Sequence, residues 1–312
     1  MIDLNKIQTA VENAYQAFSQ ESEGENANYI PFLANIDSKL AGLAVVTAQG
    51  DVISAGDAQY RFAIESISKV CTLALALEDF GAEEIQNKIG TSPTGLPFNS
   101  VMALELHGDK PLSPLVNAGA MSTTSIIKAT STEERWQRIL SIQQKLAASN
   151  NISLSQELNQ SEQTTNFHNR GIAWLLYSAG YLYCDTAETY DVYTRQCSTL
   201  ITTIELATMG ATIASGGINP MTKEHVLTPE NCPKILAEMT MEGMYDSSGS
   251  WAYNVGLPSK SGVGGGILTV VPGVLAIAAF SPPLDSIGNS VRGQKMVASV
   301  ANELGYNLYK CN

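Results

Sequence analysis

Apolar and polar positions change their spacing several times along the chain, and each change marks an element. Leu4, Ile7, Val11, Tyr15 and Phe18 recur at three- and four-residue intervals behind Asp3, a suitable N-cap, and predict an opening amphipathic helix. The stretch from Leu40 to Thr47 reads as a buried strand, and Gly50-Asp51 turns the chain into a second one around Val52 to Ala55. Alternation in Tyr60-Arg61-Phe62-Ala63-Ile64 then gives way to helical recurrence of Val70, Leu73, Leu77 and Phe80, ended by Gly81. As far as about Ser215 the pattern stays mostly helical. Its strongest segments are Thr132 to Leu146, Phe167 to Tyr181 and Thr203 to Ser215, the last capped by Gly216-Gly217. Strand character returns at Ile267 to Val271 and Val274 to Phe280, joined by Pro272-Gly273 as a two-residue hairpin connection. A final helix runs from about Ser290 to Leu304, with Gly305 as its stop.

Helix and sheet at both ends with a helical block between them predict an α/β (α+β) fold with more than one lobe. Residues 1–65 and 216–312 would build one antiparallel sheet covered by the terminal helices, and residues 66–215 an inserted all-helical lobe, with a cleft between the two. The chain carries no internal repeat and no low-complexity linker.

Composition narrows the function. At 312 residues and 44% hydrophobic side chains the chain can bury a substantial core. Thirty acidic against 18 basic residues give a net charge of −12, and no Lys/Arg stripe is present to neutralise phosphates, so nucleic acid is excluded as an expected partner. Apolar runs such as Val274 to Phe280 are too short for a bilayer, and the start, Met1 to Lys6, has no signal-peptide pattern, so no membrane contact and a cytoplasmic location are expected. Five cysteines, Cys71, Cys184, Cys197, Cys232 and Cys311, lack a Cys-x-x-Cys pair and are expected as free thiols, without zinc. The histidines His107, His168 and His225 are scattered, and His168 is expected to make a structural hydrogen bond.

The most informative candidate chemistry is Ser66-Ile67-Ser68-Lys69, which sets a hydroxyl and an amine one helical turn apart where strand pattern gives way to helix. A serine there has free N–H groups and a dipole that favour developing negative charge, and a lysine whose pKa is lowered can act as its base. Ser125-Ile126-Ile127-Lys128 repeats the spacing but sits late in a helical pattern, where the dipole opposes an oxyanion, and reads as ordinary helix. Lys260-Ser261-Gly262, followed by Val263-Gly264-Gly265-Gly266, supplies the second half. Penicillin-recognising serine hydrolases combine a Ser-x-x-Lys with a later Lys-Ser/Thr-Gly, whose strand offers a cation for a substrate carboxylate and an oxyanion-hole N–H.

Together with Asn28-Tyr29-Ile30-Pro31, Pro114 through Ala120, Glu162 through Asn169, Asp191-Val192-Tyr193 and Gly243-Met244-Tyr245, these motifs resemble the serine-dependent glutaminases of the bacterial type, in the β-lactamase-like superfamily. The resemblance spans essentially the whole of residues 1–312 as a single glutaminase domain. It implies a β-lactamase/penicillin-binding-protein-like fold and hydrolysis of the side-chain amide of L-glutamine to L-glutamate and ammonia without a cofactor or metal. Ser66 would be the nucleophile, Lys69 its base, Tyr245 a proton relay to the leaving ammonia, and the N–H groups of Ser66 and Val263 the oxyanion hole. Tyr29, Asn117, Glu162, Asn169 and Tyr193 would bind the substrate, with Tyr245, Lys260 and Val263 beside them, and a homodimer or homotetramer is implied. Taken one by one, Asn117 and Glu162 are ordinary helix residues, and Tyr193 and Tyr245 are half-buried rings. The β-lactamase motif Ser-Asp-Asn is absent between the two halves. A β-lactam-recognising hydrolase and a non-catalytic glutamine sensor are the alternative readings.

Overall fold

The structure, a computed structural model, describes residues 3–310; Met1, Ile2, Cys311 and Asn312 lie outside them. Its strands are β1 (Gly42–Thr47), β2 (Val52–Gly56), β3 (Phe62–Ala63), β4 (Ser153–Leu154), β5 (Thr199–Ile201), β6 (Ser259–Gly262), β7 (Gly266–Val271) and β8 (Leu275–Phe280). A 5-stranded sheet has the order β2-β1-β8-β7-β6, antiparallel throughout, and so joins the two ends of the chain as expected.

Strand side chains alternate between two apolar layers. Leu43, Val45, Ile267, Leu275 and Ile277 pack against Ile7 and Val11 of the first helix and Met296, Val297 and Val300 of the last. Their neighbours Ala44, Val46, Leu268, Val270, Ala276 and Phe280 face the opposite core with Ile67, Val70, Met209 and Ile213. Burial on both faces explains why these strands read as unbroken apolar runs rather than as polar-apolar alternation. The covering helices keep their expected ends. Leu4–Phe18 starts where the Asp3 carboxylate accepts from the Asn5 and Lys6 amides, a cap worth about 1 kcal/mol, and Val291–Leu304 stops at Gly305 in the left-handed region.

Three features differ from expectation. The helix Thr203–Ala214, assigned to the helical block, lies on the sheet between β1, β7, β8 and the helix Thr132–Ala147. Its apolar residues surround it because both sides are covered, and a Cβ on Gly210 would meet Ala276 Cβ and Leu268 Cδ1 at 2.6 Å. Residues 66–215 are also not all helical: β4 and β5 pair there and, with β3, form a 3-stranded sheet whose strands are too short for a periodic signal. Finally, Val271 pairs with Leu275, so the hairpin connection is Pro272-Gly273-Val274, with the Val274 N–H donating to the Val271 carbonyl at 3.0 Å. Proline followed by glycine at φ 76° suits a type II turn, which draws Val274 out of the strand.

Candidate active site

A cleft of about 1040 Å³ opens beside the N-terminus of the helix Ser68–Phe80. Of the residues expected there, Tyr29, Ser66, Asn117, Glu162, Asn169, Tyr193 and Val263 line it, joined by Glu65 and Cys197. Stretches more than two hundred residues apart in sequence therefore meet at one surface.

The turn bearing Ser66 is strained and tightly held. From β3 the chain passes into a short 3-10 turn, Glu65–Ile67, which runs directly into the helix, and Glu65 has φ 49°. A non-glycine residue in the left-handed region costs about 1–2 kcal/mol, a cost that packing must offset. The packing comes from β6 and the glycines after it. A Cβ on Gly262 would lie 2.8 Å from the Ile64 carbonyl oxygen, one on Gly264 2.2 Å from that of Ala63, and one on Gly266 2.7 Å from the Phe62 ring. The glycine run thus serves first to let the edge strand press against the nucleophile turn, with Val263 brought to the cleft wall between them.

Lys69 is 1% exposed and its ammonium donates to Asn117 Oδ1 at 2.6 Å. Its expected partner Ser66 makes no direct hydrogen bond with it. Asn117 opens its own helix, Asn117–Ile126, and is the hub of the wall: Oδ1 also accepts from the Tyr193 hydroxyl at 3.2 Å, and Nδ2 donates to Asn169 Oδ1 at 3.0 Å. That bond uses the Asn169 oxygen and leaves the Asn169 amide N–H groups for other partners. Burial pulls the Lys69 pKa down to about 8, against the opposing pull of Cys197, Glu65 and Glu242. About a tenth of this amine is therefore uncharged at pH 7, and half at pH 8.

Tyr245 and Lys260 lie behind the cleft wall rather than on it. Tyr245, with φ 53°, packs tilted against Phe98 at 4.6 Å between ring centres and donates its hydroxyl hydrogen to the Ser261 carbonyl at 3.1 Å; burial and then Tyr29 push its phenol pKa up, and the Ser66 side chain works the other way. Lys260, expected at a substrate carboxylate, is corrected by the structure. It is 0% exposed, and its ammonium donates to the Ser261 carbonyl at 2.6 Å and the Gly243 carbonyl at 3.2 Å, 4.5 Å above the Tyr245 ring. Burial and then Lys69 hold its pKa well below the usual lysine value. The Lys-Ser-Gly spacing signals a strand position correctly, but strand alternation turns the lysine into the interior.

The residue that sequence reasoning missed is Glu65. It is 4% exposed and lies on the cleft wall beside Glu162, whose Oε1 accepts from the Ser198 hydroxyl at 3.1 Å. Burial first, and then Glu162, raise the Glu65 pKa well above the carboxylate range, while burial raises Glu162 to about 7. The adjacency of Glu65 to Ser66 was its only sequence signal. His168 meets the Asn99 carbonyl at 2.6 Å, the structural bond expected of it. Ser125 donates to the Ser122 carbonyl inside its helix. Among the described residues no group of His, Cys, Asp and Glu could hold a metal ion, and no helix is long and apolar enough to cross a membrane.

An antiparallel sheet faced by terminal helices, with Ser66 and Lys69 at a helix N-terminus against the edge strand, defines the serine β-lactamase-like class. Comparison with known proteins then narrows the class. A family profile described as Glutaminase matches residues 24–309. A "Glutaminase" of Desulfovibrio desulfuricans is 77% identical over 98% of this chain and 99% of its own length, and "Glutaminase 1" of Escherichia coli K12 is 70% identical over 99% and 100%. A solved structure titled a probable glutaminase superposes with a TM-score of 0.98 at 70% identity, covering 99% of this chain and 100% of that one. Another, of a probable glutaminase from Bacillus subtilis, gives 0.88 at 30% identity over 98% and 97%. The chain belongs to the glutaminase family. It is an L-glutamine amidohydrolase, converting glutamine to glutamate and ammonia.

Proposed function

We propose that the hydrolysis runs through an ester on Ser66. The Ser66 oxygen attacks the side-chain carbonyl carbon of glutamine while uncharged Lys69 takes the hydroxyl proton. The oxyanion so formed accepts from the N–H groups of Ser66 and Val263. Proton return through Lys69 and Tyr245 lets the C–N bond break and ammonia leave, and water then attacks the γ-glutamyl ester, the oxygen of Ser66 recovering its hydrogen as glutamate departs. The observation that carries this reading is the placement of a cleft-lining serine one turn from a lysine whose amine burial keeps partly neutral. The Ser66 and Val263 amides, moreover, have no backbone acceptor among the described residues.

Substrate recognition divides by charge. Glu162 takes the α-ammonium, and Tyr29, Asn117, Asn169 and Tyr193 offer neutral donors to the α-carboxylate. A solved structure titled as the L-glutamate binding form of Mglu, 35% identical with a TM-score of 0.92 over 100% of this chain and 69% of that one, supports an amino-acid ligand in this cleft. Ser66→Ala is expected to lose at least about a thousandfold in kcat with its fold intact. It should also fail to gain mass from an electrophilic glutamine analogue that labels the wild type. Turnover by the alanine variant near the wild-type rate would end the proposal.

The finer setting is also a proposal. Free Cys71, Cys184, Cys197 and Cys232 suit the reducing cytoplasm. Exposed Phe167, Trp174 and Tyr177 on one helix, with Met102 and Leu106, suit burial between copies in a homodimer or homotetramer. Light scattering reads the stoichiometry, and a monomer would refute that assignment.

A further inference from the structure

Residues 92–112 leave the body of the protein as one long excursion and return to where they started, the Ser92 N–H donating to the Leu112 carbonyl at 2.9 Å. The inner side of this loop reaches the active site. Phe98 and Asn99 line the cleft, the Phe98 ring centre lies 4.6 Å from that of Tyr245 and 5.9 Å from the Lys69 ammonium, and the Phe98 carbonyl accepts from the Asn117 N–H at 2.8 Å. Asn117 in turn holds Lys69, so the seat of the loop bears on the seat of that amine. A long loop opens readily unless its feet are fixed.

Both feet are fixed by one helix. Cys232–Glu242 packs against β6 and the helix Ser68–Phe80, and just past its end the Gly243 carbonyl accepts from the Ser261 N–H of β6 at 2.9 Å. Four residues apart on this helix are two buried carboxyl groups that no step of the mechanism uses, Glu238 and Glu242. Glu242 Oε1 accepts from the Thr94 N–H, with the Thr94 hydroxyl 3.3 Å away, and Glu238 Oε2 accepts from the Ser113 hydroxyl at 2.9 Å. Thr94 stands at the outgoing foot of the loop. Ser113 stands at the returning one, where its oxygen also accepts from the Leu115 N–H at 3.2 Å on the way to the Asn117 helix. Apolar side chains would fill the same space without the cost of burying carboxyl groups; what these two add is direction, through hydrogen bonds that a leucine cannot make.

We propose that Glu238 and Glu242 are positioning residues for the reaction: they clamp both feet of the 92–112 loop to the helix that backs β6, and so keep Phe98 and Asn99 seated on the Asn117–Lys69 network. Displaced from that seat, the Phe98 ring no longer shields the Lys69 ammonium, and burial, the main cause of its low pKa, weakens. The effect on turnover rests on Lys69 as the base, whereas the clamp itself does not.

Hydrogen–deuterium exchange on the intact chain reads the clamp without turnover. Glu238→Leu and Glu242→Leu should speed exchange across residues 92–117 by at least about tenfold while β6 and the helix Ser68–Phe80 stay as in wild type, and Glu238→Gln and Glu242→Gln, which keep an acceptor oxygen, should stay within about threefold of wild type. Ser113→Ala, which removes the donor instead, should match Glu238→Leu and takes its place if that variant does not fold by circular dichroism. Unchanged exchange in the Leu and Ala variants would overturn the clamp. Gln variants as fast as the Leu variants would overturn hydrogen bonding as its cause. The pH profile reads the consequence. Lys69 feels the charge of Glu242, so the profile is taken on Glu238→Leu, in which the levelling of kcat/KM should move to higher pH by about half a pH unit or more. A loss of activity equal at every pH would make the pair a stability device and overturn its positioning role. A wild-type profile with no rise toward pH 8 would instead overturn Lys69 as the base, and the exchange result would still decide the clamp.

Discussion

The two walls that meet at Ser66 each carry a fully buried lysine, yet they use it in opposite ways. On the helical wall the Lys69 ammonium meets a side-chain network, Asn117, Tyr193 and Asn169, that reaches the cleft surface. On the strand wall the Lys260 ammonium is spent on two main-chain carbonyls, and the wall reaches the cleft at Val263. A helix end presents consecutive side chains from one turn, whereas a strand edge presents backbone and alternate side chains only. In the proposed mechanism the base therefore comes from the first wall, while the second supplies the Val263 N–H and mechanical backing.

The harshest test removes the amine from the helical wall. Lys69→Ala is expected to lower kcat by about a thousandfold, within the range for loss of a general base, in a stopped ammonia-release assay. A loss of less than tenfold would move the base elsewhere.

A gentler probe leaves the residue in place and titrates it. The base must be uncharged, and burial depresses its pKa, so kcat/KM should rise with pH and level off above about 8. A profile that falls across that range would contradict the assignment.

The smallest effect on catalysis is expected on the strand wall. Lys260→Met removes one of two donors from each of the Gly243 and Ser261 carbonyls, which keep the Ser261 N–H and the Tyr245 hydroxyl, and costs about 1 kcal/mol, so the melting temperature should drop while kcat/KM falls by less than about tenfold. A hundredfold loss in kcat/KM at an unchanged melting temperature would return Lys260 to the substrate.

Much of this was readable in the chain. Ser66 and Lys69 are three residues apart, so a helical period suffices to pair them on one face, and the glycines after Lys260 announce a close approach of backbone. The terminal helices were legible because Asp3, Ser290 and Gly305 are local signals. The perturbed carboxyl of Glu65 was not, since a single acidic residue has no period, and its protonation depends on Glu162, Ser198 and Lys69 arriving from other elements. Nor was the inward turn of Lys260, or the place of Thr203–Ala214 on the sheet, because a helix buried all round looks the same in either lobe.

Local order, then, was written in the spacing of side chains: which segments coil, which extend, and which hydroxyl lies one turn from which amine. Tertiary structure decided the charges. A carboxyl or an amine changes its protonation with the water it loses and the neighbours it gains, and those neighbours come from parts of the chain that meet only when it folds.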